Sequence, residues 1–272
     1  MQAASREALA TATKGLDERI EGADAATLRT LAGELFDVAA VLVRERTLRR
    51  LLADPATPES ERARLADTVF GGKIADLTMQ TLTGLVGARW SQAGDLVEAD
   101  ESLARRALLA VAERDNSLED VEDELFRFAR VLDSEVRLRE LLSDDNQPAA
   151  SRLELLDGLV AGKVGPVTQE LLRQAVRLRR ARPLDAVVNN LAELAAARRE
   201  RSVARVTAAA PLTAAHERRL ADALSRVYGR PVSVQVELDP AQLGGLVIRV
   251  GDEVIDGSIA TRLAQARQEL SG

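Results

Sequence analysis

Residues 34–54, ELFDVAAVLVRERTLRRLLAD, return 90 positions later as residues 124–144, ELFRFARVLDSEVRLRELLSD. Extended without a gap, the match joins residues 34–90 to residues 124–180 and holds 22 identities in 57 positions. A chain this rich in Ala, Leu and Arg gives roughly one identity in ten by chance, so the unit is duplicated. The repeated positions also make physical sense. Leu31, Leu35, Val38 and Leu42 fall at i, i+4, i+7 and i+11, one apolar face of a helix, and the face returns as Val121, Leu125, Phe128 and Leu132. Helix breakers return with it: Pro58 matches Pro148, and Gly72-Lys73 matches Gly162-Lys163. Pro removes a backbone donor and Gly releases helical torsions, so these positions mark joins between helices. A solenoid repeats every 20–50 residues or so. A 90-residue period fits two copies of a small helical bundle instead. The stretch from Gln92 to Arg114 reads as one helix that closes the first bundle and opens the second.

Beyond about residue 201 the period of the pattern changes. Val232, Val234, Val236 and Leu238 alternate with Ser233, Gln235 and Glu237, which predicts a strand with one buried face. Leu246, Ile248 and Val250 alternate with Val247 and Arg249. Gly251-Asp252 then reverses the chain into Glu253-Val254-Ile255, predicting a β-hairpin. A short strand is expected at 203–209. Thr213 is placed to cap a helix running to Tyr228 and ended by Gly229. Ser258 is placed to cap a last helix with the stripe Ile259, Leu263, Ala266 and Leu270. The expected fold is mainly α: two tandem related helical bundles, then a small α+β C-terminal module with a β-hairpin. The expected boundaries are 1–98, 99–201 and 202–272, with the shared helix near 92–114.

Composition narrows the function. The 272 residues include 37 Lys+Arg and 43 Asp+Glu, a net charge of −6, with 2% aromatic residues and no Cys. An acidic chain almost without stacking groups is a poor nucleic-acid binder. Without Cys there are no disulfides, thiolate metal sites or cysteine nucleophiles. The opening stretch carries Arg6 and Glu7 where a secretory signal would carry its apolar run, so no signal is expected. No window approaches the roughly 18 apolar residues of a membrane span.

Catalytic constellations are equally scarce. Gly158 to Val164 lacks the spacing and the hydroxyl of a phosphate-binding loop. The single His216 cannot build a two-histidine zinc site, and no G-x-S-x-G elbow supports a Ser-His-Asp arrangement. No cofactor is expected. The acidic residues Glu119, Asp120, Glu122, Asp123 and Glu124 suit a helix N-terminus, where negative charge meets the helix dipole. Arg173, Arg177, Arg179, Arg180 and Arg182 form the best anion patch and are read as solvated surface or a partner contact, with Arg173, Arg177 and Arg180 as candidate partner-binding residues. By elimination the chain reads as a binding or scaffold protein. A helical adaptor that binds acidic or phosphorylated partners through the Arg173–Arg182 face is the alternative.

Asp239 to Ser258, DPAQLGGLVIRVGDEVIDGS, resembles the C-terminal signature of the delta subunit of F-type ATP synthases, the bacterial relatives of the oligomycin-sensitivity-conferring protein. The resemblance rests on the spacing of Gly244-Gly245, Arg249, Gly251-Asp252 and Ile255-Asp256-Gly257-Ser258. It is reinforced by Ala210-Pro211-Leu212-Thr213 and by Leu141-Leu142 through Gly162-Lys163. It covers about residues 115–272, with a partial second match at 30–90. The motif residues Gly244, Gly245, Arg249, Gly251, Asp256, Gly257 and Ser258 suit fold-making roles in turns and at a helix start. The resemblance implies a non-catalytic stator in the peripheral stalk, one copy per complex. Its helical part would bind N-terminal helices of the α subunits, and its C-terminal module the b-type stalk subunit. It further implies an indirect membrane association at the cytoplasmic face of the bacterial plasma membrane. Family members usually lack the N-terminal copy, and Gln242 stands where they usually carry an apolar residue.

Overall fold

The computed structural model describes residues 1–178, 180, 182–228, 232–239, 242, 244–251 and 253–257, with only the backbone at Arg201 and Ser202. The first helix is α1 (Ala3–Arg19). It is followed by α2 (Ala25–Arg44), α3 (Arg46–Ala53), α4 (Glu59–Phe70), α5 (Asp76–Gly87) and α6 (Ala93–Arg114). Five more come next: α7 (Leu118–Ser134), α8 (Val136–Ser143), α9 (Ala149–Val160), α10 (Pro166–Arg177) and α11 (Leu184–Ser202). Displaced by 90 residues, α3, α4 and α5 coincide end for end with α8, α9 and α10. The structural repeat also outruns the sequence match, which stops at residue 90. α1 corresponds to α6, and α6 corresponds to α11.

The packing repeats with the elements. α1 packs on α5 and α6, as α6 packs on α10 and α11; α2 packs chiefly on α6, as α7 packs chiefly on α11. Thus α6 is the last helix of one six-helix bundle and the first of the next. A helix used twice has no face left for water: every residue of α6 from Asp95 to Glu113 is buried or half-buried. One apolar core therefore runs unbroken from Leu16 to Ala195, with each fully buried Leu or Val contributing about 1.5–3 kcal/mol. Its side chains are mostly Leu, Val and Ala, joined by Ile20, Phe36, Phe70, Trp90 and Phe128. Low aromatic content is no handicap where helices approach closely.

Many residues identical in both copies make the same bond twice. The Glu34 carboxylate accepts from the Ala75 N–H (3.0 Å) and the Thr78 hydroxyl, satisfying free donors at the start of α5. Glu124 does the same for the Gly165 N–H (3.0 Å) and the Thr168 hydroxyl at the start of α10. Buried Arg62 donates to the carbonyls of Ala88 (2.9 Å) and Gly87 (3.1 Å) at the end of α5. Arg152 donates to the Val176 carbonyl (3.4 Å) at the end of α10. Lys73 and Lys163 each donate to a carbonyl four residues earlier in the preceding helix, Val69 and Leu159.

Gly72 and Gly162 both sit at φ +68°. A Cβ has open space at either position but not a favoured torsion. Gly162→Ala and Gly72→Ala are each expected to cost about 1–2 kcal/mol, measurable as a shift of the urea midpoint at unchanged m-value. An equal cost at both sites would show that the two joins carry equivalent strain.

α11 runs without a break into β1 (Val203–Ala208). Then follow α12 (Ala214–Tyr228), β2 (Ser233–Leu238), β3 (Leu246–Val250) and β4 (Glu253–Asp256). The sheet order is β2-β1-β3-β4. β1 pairs parallel with β2, across the α12 connection, and antiparallel with β3. β3 and β4 form the hairpin, with Val250 opposite Glu253. Thr213 Oγ1 accepts from the His216 N–H (3.3 Å) at the start of α12. A second, small core joins Ala204, Val206, Leu224, Val232, Ile248 and Val250. The inward alternation of β2 holds for Val234 and Val236 but lapses at Leu238, which is exposed at the end of this edge strand. The mainly α fold with a C-terminal α+β module is as the sequence leads one to expect. Gly229, Asp252, Ser258 and the stripe Ile259 to Leu270 lie outside the described residues.

Candidate functional site

The described arginines of the 173–182 run all face carboxylates of their own chain. Arg173 pairs with Asp157, which it holds below the ordinary carboxylate range together with Gln169, and lies 3.8 Å from Glu170. Arg177 leaves its own copy and meets Asp37 on α2 at 2.9 Å. Arg180 and Arg182 converge on Glu101 of α6 at 3.0 and 2.8 Å. Arg105, one turn along α6, reaches the same Glu101 oxygen at 3.3 Å.

Glu101 is fully buried and Arg105 is nearly so, while Arg180 and Arg182 keep partial access to water. Burial pulls the Arg105 guanidinium below its ordinary pKa, against the pull of Glu101 and with that of Arg182 and Arg180. Next to the cluster, Asp100 is completely buried and neither carboxylate oxygen has a hydrogen-bond partner. Burial, then the charge of Glu101, pushes its pKa well above the ordinary carboxylate value.

The first copy solves the same corner without charge. The positions matching Asp100, Glu101 and Arg105 are Ala10, Thr11 and Gly15, and Arg180 is matched by Trp90. Trp90 is buried and its Nε1–H donates to the Leu85 carbonyl at 2.8 Å. One copy closes the α5–α6 corner with an indole. The other closes the α10–α11 corner with arginines on one buried glutamate, and Arg180 adopts φ +48° to reach it.

Sequence reasoning found Arg180 and missed Glu101, Asp100 and Arg105. The available signal was phase: Asp100 and Glu101 lie four residues after Leu96 and Val97 and before Ala104 and Arg105, within the buried stripe. Among the motif residues, Gly244 and Gly245 take φ +132° and +82°, values open to glycine where the loop enters β3. Gly251, at φ +56°, makes the hairpin turn. The Gly257 N–H donates to the Leu246 carbonyl at 2.9 Å. Asp256 ends β4 opposite Val247, and Arg249 points to the exposed face of β3. Ser258 lies outside the described residues, so the motif is seen up to Gly257.

A cleft of about 530 Å³ separates α1, α6 and α11 from the C-terminal module. Its charges are largely paired within the chain, Arg198 with Glu113 at 2.6 Å and both Arg106 and Arg198 with Asp17 at 3.9 Å. Among the described residues no group of His, Cys, Asp and Glu is arranged to hold a metal ion. No described helix is long and apolar enough to cross a membrane.

These features define a helical scaffold: two bundles sharing one helix, tied internally by arginines, with a small α+β module on the last helix. The family model described as ATP synthase delta (OSCP) subunit matches residues 104–270, beginning inside α6 and taking in the second bundle and the module. The ATP synthase subunit delta of Streptomyces griseus is 44% identical over the whole of both chains, first bundle included. The ATP synthase subunit b-delta of Mycobacterium sp. (strain KMS) is 46% identical over 99% of this chain, which spans 61% of that protein. A chain of the Toxoplasma gondii mitochondrial ATP synthase hexamer aligns over 62% of this chain and 95% of its own, with 26% identity and a TM-score of 0.30. The chain belongs to the ATP synthase delta (OSCP) subunit family.

Proposed function

We propose that this chain is a non-catalytic stator subunit of the F-type ATP synthase, joining the catalytic head to the stalk and resisting rotation during proton-driven ATP synthesis. The observation that carries the reading is family membership over the full chain, first bundle included. The build of the molecule supports it. α11 enters β1 directly and the bundles share α6, so few flexible joints interrupt the path from one end to the other. The working units are residues 1–98, 99–201 and 202–272, the first two joined through the shared helix. The helical units bind N-terminal helices of the α subunits, one chain per complex. The C-terminal module engages the b-type stalk subunit, a link in keeping with the b-delta name of the mycobacterial relative. The chain is thus peripheral to the membrane, on the cytoplasmic face of a bacterial plasma membrane.

The test is co-purification. The full chain is expected to capture both the catalytic head and the b-type subunit. A chain ending at residue 202, which keeps its own core, is expected to retain the head and lose the stalk. Equal stalk capture by the shortened chain would overturn this division of labour.

A further inference from the structure

The exposed face of the C-terminal sheet carries two arginines side by side. Arg205 on β1 and Arg249 on β3 are direct partners in the antiparallel register. Residues so paired hold their Cβ atoms about 4.5–5.5 Å apart on the same face, and like charges so placed destabilise a sheet. Both are exposed, and neither has an ion pair or side-chain hydrogen bond with another described residue. The rest of their row is Gln235 on β2 and Val254 on β4, the latter 53% exposed. The next row reads Glu237, Thr207, Val247 and Asp256, so its two carboxylates stand on the outer strands, diagonal to the arginines, and form no ion pair with them. Several arginines elsewhere are paired with carboxylates, Arg173, Arg177, Arg180, Arg182, Arg198 and Arg199 among them. The central pair on the sheet has no such partner among the described residues, and its two like charges stand side by side.

We propose that the Arg205–Arg249 face is the docking surface for an acidic amphipathic helix. Carboxylates of the helix sit on the two guanidiniums, and apolar residues one turn away lie over Val247 and Val254. Charge complementarity selects this occupant: two forks on adjacent strands suit two carboxylates on one helix face, and the exposed Val254 and half-buried Val247 beside them suit an apolar stripe. The assignment rests on the reading that the module engages the stalk, and names the surface and the chemistry of that contact. A pair that costs stability in the free chain and is repaid on binding also explains why the fold tolerates it.

The experiment uses the full chain and, as probe, the b-type stalk subunit of the same complex without its membrane span. Binding is titrated at two salt concentrations for wild type, Arg205→Gln, Arg249→Gln and the double variant, and each chain is also melted. Each single variant is expected to weaken Kd about tenfold, the double variant about a hundredfold, each tenfold step being 1.4 kcal/mol. Melting temperatures should hold or rise, because a repulsion has been removed. Unchanged affinity in the variants, with wild type binding, overturns the surface assignment and leaves the stalk reading intact. No binding by wild type overturns the stalk reading itself. Lower melting temperatures alongside lost binding make the arginines structural and overturn the proposal. So does arginine-dependent capture by anionic lipid vesicles with stalk affinity unchanged.

Discussion

Glu101→Ala is expected to lower the stability of the folded chain by about 3–5 kcal/mol. The loss is set by which arginines can escape to water. Arg180 and Arg182 are partly exposed and can turn to water when Glu101 is gone, but the Arg105 side chain is 9% exposed and cannot. An unpaired guanidinium would be left in the core between α6 and the α10–α11 corner. The pair itself is not the source of the stability, since a buried ion pair roughly offsets its own desolvation. The double variant Glu101→Ala with Arg105→Met should therefore recover most of the loss. Urea unfolding of the two variants checks both halves. A single variant as stable as wild type, or a double variant as weak as the single, would show that Arg105 is not held in place by Glu101.

Asp100→Ala runs the other way and is expected to stabilise the chain by about 1–3 kcal/mol near pH 8, the cost of an unsatisfied buried polar group. The first copy carries Ala10 at this position, so the backbone there accepts alanine. The gain depends on pH, with a sign set by the raised pKa of Asp100. Below the ordinary carboxylate value of 3.8, the group is protonated in both the folded and the unfolded chain and adds no pH dependence. Above it, the unfolded chain releases the proton while the folded chain keeps it, so wild type loses stability as pH rises towards the folded-state pKa. The alanine variant escapes that loss. The difference in unfolding free energy between the two chains should widen from pH 4 to pH 8. A constant difference across that range would mean that Asp100 ionises as readily inside as outside.

The duplication was legible because its determinants are local. Glu34 and Glu124, Arg62 and Arg152, Gly72 and Gly162, and Thr78 and Thr168 each meet partners within their own copy, so the same residues return at the same interval. The hairpin was legible for the same reason, with a period of two interrupted by Gly251. Beyond residue 90 the sequence match fades although the helices still correspond. α6 must serve two bundles while α1 and α11 each serve one, and the demands on its surface differ from theirs. Arg205 stayed invisible because its meaning depends on Arg249 being its neighbour, which is a matter of register.

From the sequence alone came two related helical bundles, a shared helix near residues 92–114, a C-terminal module with a hairpin, and a family signature. These rest on periodicity, breakers and spacing, all properties of residues close together along the chain. The tertiary structure decided that the described arginines of the 173–182 run answer carboxylates of their own chain, and that an unpartnered Asp100 lies in the core. It also set the antiparallel register of β1 and β3, which puts Arg205 beside Arg249. The cause is physical. A charge is solvated, paired or stranded according to what folding brings within a few ångströms of it, and in this chain those partners lie as far apart in sequence as Asp37 and Arg177.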